Sequence, residues 1–131
     1  MGNIQRINPD GLSAPPGNRY AHIVKSGKLV WIAGQTSRGV DGSVIGKGDT
    51  LTQARQVNAN LKTAIESVGG NLSNIVKVTI FLSKEADVEA ARQAQNEYRD
   101  ENDLPASSMV FVHGLVNPDY LIEIEAFAVL D

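Results

Sequence analysis

Residues 75–82 read IVKVTIFL, and this stretch decides the fold. It is rich in β-branched and aromatic residues and too short for an ordinary helix, so it reads as a strand. Upstream, QARQVNANLKTAIESVGG at 53–70 sets Ala54, Val57, Leu61, Ala64, Ile65 and Val68 at helical spacing. Thr50-x-x-Gln53 has the form of a capping box that starts this helix, and Gly69-Gly70 ends it. Downstream, a second helix is expected from about 87 to 101, with Val88, Ala91, Ala94 or Gln95, and Tyr98 on one side.

The outer segments supply the remaining strands. Ala21–Lys25 and Leu29–Ala33, joined by Ser26-Gly27-Lys28, form a hairpin over 20–35. The glycine-rich stretch 36–49 is a loop with a short strand at Val44-Ile45, and residues 1–18 form an irregular arm. Ser108–Val112 and Leu121–Val129 are the last strands, linked by HGLVNPDY. The order ββ(β)αβαββ gives a single α+β domain over 1–131, one sheet with two helices on one face.

The strands are partly apolar on both faces. In 75–82 Val76, Val78, Ile80 and Leu82 share one face and Ile75, Lys77, Thr79 and Phe81 the other. In 29–35 Val30 and Ile32 oppose Leu29, Trp31 and Ala33; in 108–113 Met109 and Phe111 oppose Val110 and Val112. Two helices cover only one face, so the other calls for a partner, most simply further copies of the chain.

Composition narrows the function classes. At 131 residues and 42% hydrophobic, the chain buries a substantial core, roughly two-thirds of its extended surface. With no cysteine, disulfides, thiolate nucleophiles and thiolate metal sites are excluded, which suits a cytoplasmic setting. No apolar run is long enough to span a bilayer, and the polar start is not a signal peptide, so no membrane partner is expected. The net charge of −3, without a basic patch, disfavours nucleic acid.

Few residues are equipped for chemistry. Glu123 and Glu125 lie two apart on the last strand and share a face, opposite the core residues Ile122, Ile124, Ala126 and Ala128. Both acids fit a solvated outer face; one of them also fits a seam where it orients water or passes a proton. His22 and His113 are far apart and form no metal-ligand spacing, so no metal is expected and each reads as a hydrogen-bonded structural histidine. Ser107, His113 and Asp119 carry the letters of a triad without its sequence context.

Several pieces together resemble the RidA (YjgF) family: Tyr20-Ala-His, LVWIAGQ at 29–35, the 53–70 helix, IVKVTIFL, LPASS at 104–108 and IEIEAFAV at 122–129. Their order and spacing cover the chain from about 18 to 131. The resemblance implies a chorismate-mutase-like fold, a homotrimer with a barrel-like assembly, and ligand clefts between subunits. It also implies cofactor-independent hydrolysis of small reactive imines or enamines to a keto acid and ammonia.

Carried over by position, Tyr20 shapes the cleft, the backbone of Gly34 faces the ligand, and Glu123 manages water and protons. The deaminating members carry an arginine for the substrate carboxylate where this chain has Ser107, within Pro105-Ala106-Ser107-Ser108. A hydroxyl has one donor and no charge, so it does not replace a guanidinium. A simple 2-imino acid is therefore disfavoured unless another cation serves. Arg38, just past the Gly34-Gln35 turn, and Arg92, on the second helix, are the candidates. The alternative is a trimer that binds a small metabolite, or regulates a partner protein, without turnover.

Overall fold

The computed structural model describes residues 3–131 of the chain. Its elements are β1 (Ile4–Ile7), β2 (Ile23–Ser26), β3 (Leu29–Gln35), α1 (Thr50–Ser67), β4 (Ile75–Leu82), α2 (Val88–Tyr98), β5 (Ala106–Phe111) and β6 (Ile122–Val129). The strands form one mixed six-stranded sheet in the order β1-β2-β3-β6-β4-β5. Only β4 and β5 run parallel, and α2 is the crossover between them. The fold is therefore the expected single α+β layer pair.

Alternation puts one face of the sheet into the core. Val30 and Ile32 of β3, Val78, Ile80 and Leu82 of β4, and Ile122, Ile124 and Ala128 of β6 are buried with Val57, Leu61 and Ile65 of α1. Each large aliphatic side chain buried this way contributes about 1.5–3 kcal/mol. On the opposite face Leu29, Trp31, Val110 and Val129 stay exposed, and Trp31 stacks on Phe127 at 5.2 Å and 16°. This is the unpartnered second face that the strand patterns anticipate. No helix among the described residues is long and apolar enough to cross a membrane.

Five local expectations are corrected. The arm is not wholly irregular: β1 pairs antiparallel with β2, Ile4 opposite Ser26 and Ile7 opposite Ile23. Four residues at a sheet edge show no clear alternation, and the strand exists because β2 offers unpaired backbone groups. The extra strand at Val44-Ile45 reduces to a single bridge between Arg38 and Val44.

Helix α1 is capped by Asp49, whose carboxylate accepts from the Thr52 amide at 3.1 Å, not by a box from Thr50 to Gln53. Residue 49 has the extended backbone that a cap needs, and Thr50 accepts from the Asp87 amide instead. Helix α2 spans 88–98, shorter than expected, because Asp87 caps it and Asp100 takes the Asn102 amide in a turn. In β4 a bulge between Ile75 and Lys77 buries Ile75 and leaves Val76 44% exposed, against simple alternation.

Candidate functional site

The cleft is built where β3 departs from regular pairing. Ile32 pairs with Ala126 and Gln35 with Ile124, so Ala33 and Gly34 form a bulge against β6. Glu123 projects onto that bulge. A Cβ placed on Gly34 would overlap the Glu123 carboxylate and stand 2.9 Å from its Cδ and 3.0 Å from its Cγ. Only glycine lets the carboxylate lie against the backbone here. Burial is the main cause that pushes the Glu123 carboxyl above the usual range, and the Glu125 charge adds to it. Neither a donor nor a cation offsets these effects.

A cleft of about 570 Å³ opens over this pair, lined by Tyr20, His22, Gly34, Arg38, Tyr120 and Glu123 among others. That size suits a small metabolite. Tyr20 stands exposed at the cleft and meets the His22 ring edge-on, centroids 5.7 Å apart. His22 is buried: its Nε2 donates to the Ser13 carbonyl at 2.7 Å, and Gln35 Nε2 donates to its Nδ1 at 3.2 Å. Because Nε2 faces a carbonyl, the ring proton sits there and Nδ1 accepts. His22 thus ties the N-terminal segment to the bulge, as a hydrogen-bonded structural histidine.

Of the residues singled out in the sequence, the structure brings together Tyr20, Gly34, Arg38 and Glu123. It does not bring Ser107 or Arg92 to them within one chain. Ser107 lies exposed on β5, the edge strand, opposite Val78. Arg92 sits on the outer surface of α2 and pairs with Glu89 at 2.7 Å. Asp119 pairs with Lys47 at 3.5 Å and His113 is exposed, so the triad letters have separate surroundings.

Asn60, Asn117 and Tyr120 also line the cleft and were not singled out, and Gln35 was noted only for its place after Gly34. Asn60 left no signal in the sequence, where it is one of several polar residues of α1; buried in the fold, it needs polar partners. It donates to the carbonyls of Thr36 and Arg38 at 3.1 and 3.0 Å.

Comparison with known proteins agrees with this fold. A RutC family protein of Pyrococcus horikoshii is 38% identical over 109 residues, 83% of this chain and 85% of that protein. A 2-iminobutanoate/2-iminopropanoate deaminase of Dermatophagoides farinae is 29% identical over 97% of this chain and 98% of its own. The crystal structure of RidA from an Antarctic Psychrobacter superposes with a TM-score of 0.87 at 28% identity, covering 96% of this chain and 99% of that one. The family model described as Endoribonuclease L-PSP matches residues 11–130, and the chain belongs to that family, which includes the RutC and YjgF proteins.

Proposed function

We propose that the cleft hydrolyses a small reactive imine or enamine, releasing ammonia and leaving a carbonyl compound. The observation that carries this reading is the Glu123 carboxyl, laid against the Gly34 backbone in a partly dry cleft and raised above its ordinary range. A carboxyl titrating closer to neutrality both takes and returns a proton readily. An enamine is first protonated on carbon to the imine. Water then adds to the imine carbon while the nitrogen gains a proton, giving a carbinolamine. The hydroxyl proton moves to the amine, the C–N bond breaks, and ammonia leaves. Glu123 accepts the proton from the attacking water and returns it to nitrogen. These transfers need no metal or organic cofactor.

The deaminase among the relatives supports the reaction class. The open sheet face supports assembly as a homotrimer, in which the β5 edge of a second copy would bring Ser107 to the rim of the cleft. Its hydroxyl would then stand in place of a carboxylate-binding cation, and the substrate would not be anchored by charge at that end. The family description names an endoribonuclease, but Arg38 is the one Lys or Arg among the lining residues, too little positive charge for a phosphodiester chain.

The test generates 2-imino acids in situ from an amino acid and its oxidase and follows their hydrolysis by the wild type and by Ser107→Arg. Accelerated hydrolysis by either protein supports the reading, and a gain confined to the variant locates the divergence at Ser107. A ligand that raises the melting temperature but is never consumed would replace it with a non-catalytic metabolite-binding trimer.

A further inference from the structure

The glycine-rich loop after β3 is not loose. Ile45 N donates to the Ser37 carbonyl at 2.8 Å and Gly39 N to the Ser43 carbonyl at 2.9 Å, closing a tight hairpin bridged by Arg38 and Val44. Asp41 closes its tip, accepting from the Ser43 amide and hydroxyl at 3.0 and 2.7 Å. Asn60 of α1 holds the hairpin's base through the carbonyls on either side of Ser37. The backbone at Arg38 is therefore fixed from both sides.

The side chain is half-fixed as well. Arg38 Nε donates to the Gly42 carbonyl at 3.3 Å, and Gly42 turns the chain at φ +88°, a conformation that favours glycine, so that this carbonyl meets the guanidinium. Nη1 and Nη2 have no hydrogen-bond acceptor, and no carboxylate lies within ion-pair reach, among the described residues. The one acid that lines the same cleft is Glu123, and Arg38 is not among the influences on its carboxyl. The cleft thus holds one anchored cation and one acid that do not neutralise each other.

We propose that Arg38 is the anion-binding residue of the cleft, taking the carboxylate of the ligand on the loop hairpin while Glu123 serves the reacting carbon and nitrogen. This deepens the hydrolase reading and rests on it for the reaction, but not for the binding. The substrate class is then a small imine or enamine that carries a carboxylate, clamped from the loop after β3 and not from β5. An arginine whose backbone and Nε are already held loses little freedom on binding, and its two remaining nitrogens present the donors that a carboxylate accepts in pairs.

The experiment measures binding of 2-oxobutanoate and of its neutral amide by calorimetry, alongside imine turnover. The wild type is expected to prefer the carboxylate at least about tenfold. Arg38→Gln is expected to weaken 2-oxobutanoate by roughly ten- to a hundredfold and leave the amide unchanged. Arg38→Lys, which keeps charge but loses the planar fork, should fall between. Unchanged amide binding shows that the variant's cleft is intact. A wild type with no preference, or a preference that survives in Arg38→Gln, overturns the proposal. If the Arg38-dependent preference is present but no imine is consumed, the clamp stands and the hydrolase reading fails. If imines with and without a carboxylate are hydrolysed equally well, the hydrolase stands and the clamp fails.

Discussion

Glu123 and Glu125 leave the same strand on the same face, yet they occupy different worlds. Beside Glu123, β3 bulges and presents a glycine, so the carboxylate lies on backbone at the floor of a cleft. Glu125 stands opposite the bulge by register, pairs with Thr79 of β4 on its other side, and faces a shallow hollow shared with Lys77, Trp31 and Phe127. The first acid is partly dry and its carboxyl is raised; the second is exposed. Their own spacing is identical; what separates them is the direction in which the bulge opens, since Gly34 presents its bare backbone to Glu123 and not to Glu125. A bulge converts one of two equivalent outward positions into a site.

The strongest way to break this contrast is to neutralise each acid in turn. Glu123→Gln should lower imine turnover by roughly 10²–10⁴, the range for losing a positioned acid–base group. Glu125→Gln should stay within about threefold, as for an exposed surface group. Equal losses in steady-state assays would remove the distinction.

Gly34→Ala attacks the bulge itself. The new methyl must displace the Glu123 carboxylate, so turnover should fall roughly ten- to a hundredfold, since misplacing a reacting group by about 1 Å costs about that much. Crowding should also destabilise the fold by about 1–3 kcal/mol in chemical denaturation. A variant with unchanged kcat would show that the close approach is incidental.

A smaller effect lies in the pH dependence of stability. The Glu123 carboxyl is raised in the folded chain, so the folded state favours its protonated form. That stabilisation is fully present below the ordinary glutamate value and is lost as pH rises through the folded value. Glutamine carries no such penalty. The melting temperature of Glu123→Gln should therefore exceed that of the wild type near neutral pH, by a margin that shrinks on acidification through the glutamate range. A margin constant from about pH 8 to about pH 4 would mean that Glu123 is effectively solvated.

The layering of the fold was legible because the decisive segments repeat at clean periods: the α1 stripe at helical spacing, and alternation along β3 and β6. Where the period breaks, reading by residue type misleads. Simple alternation groups Val76 with Val78, Ile80 and Leu82, but the bulge beside it turns it outward and Ile75 inward. The β1 strand was invisible because its stability is supplied by β2, not by its own four residues.

At the site, Gly34 and Glu123 came from family resemblance, since spacing alone left Glu123 and Glu125 equivalent. The cleft position of Arg38 depends on a hairpin whose glycines signal a loop but not its shape. Asn60 and Tyr120 were hidden for the same reason: the loop contacts that bring each to the cleft join segments distant in sequence.

Asn60 has a consequence for motion. A single side-chain amide joins the base of the 37–45 hairpin to a helix whose neighbours Ala54, Val57 and Leu61 are fully buried. Opening the hairpin at its base therefore means breaking contacts with the body of the fold, and the segment belongs to the same cooperative unit as α1. The amides of Gly39 and Ile45, both bonded within the hairpin, should exchange with solvent deuterium on the slow scale of the core, although they lie in the most glycine-rich stretch of the chain.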